Sequence, residues 1–376
     1  MLAPWLISLF TVIAVYFLDR WENEHIKSLF DWVPAILLAY LIPAIISYIL
    51  NADYSLADIH NYSKDYFIPL AIVAVMSSLS LRQLKSIGWK PIFLFVAGSF
   101  FIALFPVLLG LSLFDTELIS ITLVEEGYWK GIPPIVGSWI GGSTSQLVLK
   151  ELVECPENIF LSVLVMDNIL VNIWTILMFQ TIKKSKWLNV RFKISDVMMP
   201  ENMRTDTGSK IRPMLCAIVL LCCVLLSHWL IESFIVKVVV LSIVGLLLSN
   251  FLPKWNFKFA LKLGGILIVV VMAVLGLKLQ FATLGFNTSF LVFLIVWLLG
   301  HFVFMMLIAK LLNVNMAWVP IASMANVGGI ATAPAVTSAY ERKWMPHAIV
   351  LAILSMATGT FWGILTIYLL KSYLVS

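Results

Sequence analysis

Long apolar runs, each about the length of a membrane-crossing helix, alternate along this chain with short polar connections. A crossing needs roughly 20 mostly apolar residues. Runs at 3–18, 33–50, 67–80, 91–114, 131–149 and 158–181 meet that need, as do those at 213–230, 234–251, 262–279, 288–311, 318–339 and 347–370. They are continuously apolar rather than alternating over ~10-residue segments, so they predict helices and not the strands of a barrel. One longer polar stretch, 182–212, separates the two sets. It interleaves Trp187, Leu188, Val190, Phe192 and Ile194 with Lys186, Arg191 and Lys193, a pattern that suits an interfacial helix or a solvated loop. The expected organisation is a first half at 1–181, a connecting segment at 182–212 and a second half at 213–376.

The halves read as copies. Ala74–Arg82 matches Val270–Lys278, a glycine follows each at Gly88 and Gly285, then comes an apolar run, and then a run containing a glycine pair. Two signals disagree about orientation. Arg82, Lys85 and Lys90 follow the first matched helix, whereas Lys254, Lys258 and Lys262 precede the second. If basic loops stay inside, the copies are inverted. Yet six runs separate equivalent positions, which gives parallel copies. The basic 182–212 segment belongs inside by its charge and outside by the count.

Composition sharpens the class. Hydrophobic residues make up 61% of the 376 and charged residues 12%, with a mean hydropathy of +1.00. A soluble domain carries about twice that charge fraction. The net charge of +5 is a topology signal carried by loop lysines and arginines, not a nucleic-acid patch. Cys155, Cys216, Cys222 and Cys223 have no disulfide or zinc spacing. The start, Met1–Trp5, lacks a basic region and a cleavage site and reads as a first membrane helix. Trp5, Trp21, Trp32, Trp89 and Trp255 suit a membrane interface. No Walker, dinucleotide, His-Glu zinc or GxSxG motif occurs, so the chain is expected not to be an enzyme and to need no cofactor beyond an ion.

The chemistry concentrates at three places. Gly141 and Gly142 are followed by Ser143, Thr144, Ser145 and Gln146; Gly328 and Gly329 sit among Asn326, Thr332 and Pro334. Glycine lets a backbone leave the helix, and proline removes a donor. Non-helical backbone at membrane depth is tolerated only where it is buried in protein or lines a cavity. Matching interruptions in two halves point to a transporter site. Freed carbonyls would suit a hard cation such as sodium, and freed N–H groups an anion. Asp167 lies in the middle of an apolar run, next to Asn168 and five residues before Asn172. A carboxylate there costs several kcal/mol unless it faces a partner, water or an ion. Asp167, Asn168, Thr144 and Asn326 are the candidate sodium ligands. Ser355, Thr358 and Thr360 in the last run are expected to face the second break. Glu125, Glu126, Lys130, Glu151, Glu154 and Glu157 are expected in solvent, and His301 as a packed, neutral histidine.

At the glycine pairs and Asp167-Asn168 the chain resembles the YjcL-like membrane family, a group with a domain of unknown function placed with cation:proton antiporters and bile-acid:sodium symporters. The resemblance implies an all-α polytopic fold with two repeats, each with a broken helix crossing at the bilayer middle, and a core moving against a scaffold. The antiporter branch carries its ion on an Asp-Asp or Asn-Asp pair; here the order is Asp-Asn. The expected function is cation-coupled transport of a small organic anion by an elevator-like alternating-access mechanism, with sodium/proton exchange as the alternative. The expected setting is the cell (inner) membrane, with lipid, a solute and a cation as partners and a homodimer as the assembly.

Overall fold

Every regular element in the described residues is helical. The structure is a computed structural model that describes residues 2–21, 35–78, 87–112, 120–195, 211–252, 254–279 and 287–374. In chain order the helices are α1 (Ala3–Arg20), α2 (Ala35–Ile49), α3 (Ile68–Met76), α4 (Trp89–Ser112), α5 (Ile132–Leu152), α6 (Glu157–Lys183), α7 (Ser185–Arg191), α8 (Pro213–Leu230), α9 (Phe234–Phe251), α10 (Phe257–Gly276), α11 (Thr288–Leu311), α12 (Trp318–Val327), α13 (Gly329–Ser338) and α14 (Met345–Tyr373). A helical turn and a π-turn at 59–67 lead directly into α3. Proline stands in the first turn of α1, α3, α5, α8 and α14, where its missing N–H costs nothing. The Asn256 and Asn287 side chains accept from Phe259 N at 3.1 Å and Phe290 N at 2.9 Å and so cap α10 and α11.

Six of the described helices, α4, α6, α8, α10, α11 and α14, are long and apolar enough to cross a membrane; 3–18, 38–49 and 236–251 are shorter apolar helices. Their outward residues are apolar. Met214, Leu215, Ile218, Leu221, Leu225 and Leu226 of α8 are exposed. A water-soluble helix would turn its polar residues outward instead. The chain is therefore an integral membrane protein.

The run at 131–149 is not a single passage. A straight 21-residue helix would be about 32 Å long, yet Lys130 Nζ, just before α5, donates to the Glu154 carbonyl, just after it, at 3.4 Å. The backbone turns at Gly142 (φ 69°, ψ −167°), and Gly137 in the first arm packs on the Ser145–Gln146 backbone of the second. The run at 318–339 folds back in the same way. Asn315 Nδ2 donates to the Tyr340 hydroxyl at 3.2 Å, and Trp318 stacks on Trp344 with ring centroids 4.9 Å apart. Each is a helical hairpin with its glycine pair at the tip. One expectation is corrected, that Pro334 helps to break its helix. It lies inside α13, and the interruption falls at Gly328.

The chain divides into two compact units, each drawing on both halves of the sequence: 1–78, 155–168 and 209–286 in one, 79–154, 169–208 and 287–376 in the other. In the first, α10 packs on α1, α2 and α3, and α9 on α3. Val73, Ala74, Cys216, Leu220, Val224, Leu241 and Trp255 form a buried cluster there. Tyr40 donates to Glu157 Oε2 at 2.9 Å and meets Phe160 edge-on. Glu157 is thus bonded rather than merely solvated, and Trp255, 1% exposed, is core rather than interface. Trp5, Trp21 and Trp89 are exposed. Trp32, Arg82, Lys85 and Gly285 lie outside the described residues. In the second unit, α14 packs on both hairpins and on α4, which also meets α11 and α12. From the 182–212 stretch, α7 is described. It exposes Trp187 and Val190 and turns Asn189 inward, where Met316 N donates to Asn189 Oδ1 at 2.8 Å.

Candidate functional site

The two hairpin tips follow one local rule. In each pair the second glycine, Gly142 or Gly329, has a positive φ, +69° or +70°, which L side chains rarely adopt. A hydroxyl residue stands four positions after the first glycine. Ser145 lies against Gly141 and Thr332 against Gly328, so closely that a Cβ on either glycine would overlap it. Ser143, Thr144 and Ser145 occupy the first turn of the second arm of α5, and Thr332 the first turn of α13. Thr144 Oγ1 and Thr332 Oγ1 are buried and have no hydrogen-bond partner, which inside a protein costs about 1–3 kcal/mol each.

The tips come together on α14. Ser355 donates to the Ile140 carbonyl of the first hairpin and lies 3.2 Å from Asn326 Oδ1 of the second. Thr360 donates to Ser145 Oγ at 3.0 Å. Between these residues Gly359 meets Gly141 backbone to backbone, leaving no room for a Cβ on Gly359. On the far side, Ser99 of α4 lies 2.9 Å from Asn326 Oδ1, and Asn326 Nδ2 donates to the Phe95 carbonyl at 3.4 Å. Trp174 Nε1 donates to Ser323 Oγ at 3.0 Å, and the same oxygen lies 3.3 Å from His301 Nε2.

The sequence candidates divide accordingly. Gly141, Gly142, Ser143, Thr144, Ser145, Gln146, Asn326, Gly328, Gly329, Thr332 and Pro334 belong to one unit. Gln146 is 3% exposed. Asp167, 5% exposed, and Asn168 belong to the other unit, while Asn172, further along the same helix α6, belongs to the hairpin-bearing unit. Ser355 and Thr360 were expected at the second break; they meet the first, and Ser355 meets both. Thr358 bonds within its own helix, to the Leu354 carbonyl at 3.0 Å. His301 is fully buried, as a packed histidine should be. Glu126 accepts from Asn287 Nδ2 at 2.6 Å, and Glu151 pairs with Lys150 at 3.0 Å, so neither is simply solvated.

Residues 8–373 match the family described as "Protein of unknown function (DUF819)". The chain belongs to the DUF819 family. No curated protein matches it. For this DUF819 protein, sequence reasoning missed Ser99, Ser323, Trp174 and Gly359. Gly98-Ser99 and Gly359-Thr360 each place a small and a hydroxyl residue together within an apolar run, a signal of close helix packing that reads the same wherever it occurs.

Proposed function

We propose that this DUF819 protein is a secondary active transporter whose site lies at the tips of two opposed hairpins, and that it couples a small organic anion to a cation. The convergence of two glycine-tipped hairpins on Ser355 carries this reading. The second arms begin at the tips, so their unpaired N–H groups and the hydroxyls of Thr144 and Thr332 favour an anion. The first arms end there, and carbonyl ends favour a cation.

The hairpins also support one of the two orientation signals, that of inverted halves. With both returning to the side they entered from, five crossings instead of six separate the matched helices, and the halves are inverted. The chain then makes ten crossings. Of the 25 lysines and arginines, all but Lys64, Lys130, Lys150, Lys237, Lys278 and Lys371 fall on one side, which by the positive-inside rule is the cytoplasm. That places the first hairpin on the outer face and the second on the inner. Such opposed entry suits alternating access by an elevator-like displacement of the hairpin-bearing unit. The resemblance to cation:proton antiporters and bile-acid:sodium symporters read from the glycine pairs and Asp167-Asn168 supports the same picture.

Asp167, a buried carboxylate within a crossing helix, favours a second reading, sodium/proton exchange without an organic solute. Sodium-gradient-driven proton flux into liposomes, followed with a pH-sensitive dye, separates the two. Flux in wild type that Asp167→Asn abolishes would establish exchange. No flux, with solute uptake driven by a sodium or proton gradient in a screen of carboxylates, is the expected result for coupled anion transport. No gradient-driven movement of any solute or ion would overturn the transporter reading.

A further inference from the structure

We propose that sodium binds in the second unit between Ser99, Ser355, Asn326 and the Ile140 carbonyl, a site made of neutral oxygens. Four separate elements supply these groups: α4, α14, α12 and the first arm of α5. Ser99 and Ser355 are 0% and 2% exposed, and Asn326 2%. Asn326 Oδ1 is the centre, with Ser99 Oγ at 2.9 Å and Ser355 Oγ at 3.2 Å.

With the Asn326 amide as it stands, the hydroxyl protons are fewer than the acceptors they face. Each serine hydroxyl has one proton. Ser99 faces two acceptors, Asn326 Oδ1 and the Phe95 carbonyl at 3.1 Å. Ser355 also faces two, Asn326 Oδ1 and the Ile140 carbonyl. Two protons therefore meet four acceptor contacts in a dry interior, where oxygen facing oxygen without a proton is costly. Turning the Asn326 amide over would supply donors to both serines but would leave its buried oxygen, 3.4 Å from the Phe95 carbonyl, without a donor.

The backbone adds to the preference. Ile140 stands in the last turn before the reversal at Gly142, and Asn326 is the penultimate residue of α12. Two helix carboxyl ends, each with the partial negative charge of its unpaired carbonyls, meet at one point. The described residues contain no group of three or more His, Cys, Asp or Glu side chains able to hold a metal. Neutral hydroxyl, amide and carbonyl oxygens are hard ligands with no formal charge, which suits a monovalent ion over a transition metal. The ion would pin the two hairpins and α4 to α14, so its arrival and departure would be felt at both tips.

The proposal rests on the transporter reading for the ion's role, but binding is tested without flux. The purified full-length protein is melted in detergent in sodium chloride and in choline chloride at matched ionic strength. Wild type is expected to gain Tm in sodium, saturably, as a ligand of the native state requires. Ser355→Ala and Ser99→Ala, checked for an unchanged Tm without sodium, are expected to need at least about tenfold more sodium for half of the shift. If Ser355→Ala does not fold, Ser355→Cys keeps the volume and removes the hard oxygen. No sodium-specific shift in wild type overturns the proposal. So does a shift that survives in both serine variants, including one removed only by Asp167→Asn. A serine-dependent shift in a protein that transports nothing would leave the site standing and sink the transporter reading.

Discussion

The two hairpins have the same tip chemistry and different surroundings. Both reverse at a glycine with positive φ, and both place a hydroxyl residue four positions after the first glycine. The first tip is clamped: Gly141 is pressed against Gly359, Ser145 is bonded to Thr360, and Thr144 is 6% exposed. At the second tip the bonded residue is Asn326, Thr332 has no partner, and Gly328, Gly329 and Ile330 are half-buried, as are Gly142 and Ser143 at the first. The difference between the tips lies in the hydroxyl after each glycine pair, bonded to α14 at the first and without a partner at the second.

The largest expected effect is all-or-none. In a background with the four cysteines replaced, single cysteines at Lys130 and Glu154 should react with an impermeant thiol reagent from one side of the membrane, and cysteines at the exposed Leu311 and Lys343, which flank the second hairpin, from the other. Labelling of Lys130 and Glu154 from opposite sides would break the hairpin reading of the first segment. Next in size, Gly359→Ala sets a methyl group against backbone that has nowhere to move. Overpacking of this kind costs about 1–3 kcal/mol, and the upper end is expected here, read as a lower Tm and lost transport. Gly142→Ala meets no neighbouring atom and should pay for backbone strain alone, about 1–3 kcal/mol. Gly329→Ala should cost a similar amount; a much smaller loss would show that the second tip relaxes. Smallest, Thr360→Val removes one hydrogen bond to the clamped tip, about 1 kcal/mol. The matching change at the other tip, Thr332→Val, removes an unpartnered hydroxyl and should be neutral or stabilising in the absence of solute. Equal losses from both would erase the distinction between the tips.

Much of the fold was legible because membrane insertion writes itself into composition. Helix positions followed from run length, and the boundaries of α8, α9 and α11 agree with the apolar runs to within a residue. The glycine pairs were legible as exceptions within those runs. The site was legible in part. Ser143, Thr144, Ser145 and Asn326 stood out as polar residues near glycine, whereas Ser99 is one serine among many in an apolar helix. Its partner, Asn326, is 227 residues away in sequence. Thr360 was assigned to the second tip and meets the first, and Ser355 meets both, because order along the chain does not say which hairpin a helix will pack on.

The sequence by itself determined that this is a helical membrane protein, with two matched interruptions and a carboxylate within one of its crossings. Tertiary structure decided that the backbone folds back at each of them. The reason is physical. A glycine pair permits a positive φ but does not require one, and an apolar run of 20 residues is equally content as one crossing or two short arms. What selects the hairpin is packing that no local pattern encodes: Gly141 on Gly359, the Lys130–Glu154 and Asn315–Tyr340 contacts at the hairpin bases, and the stacking of Trp318 on Trp344.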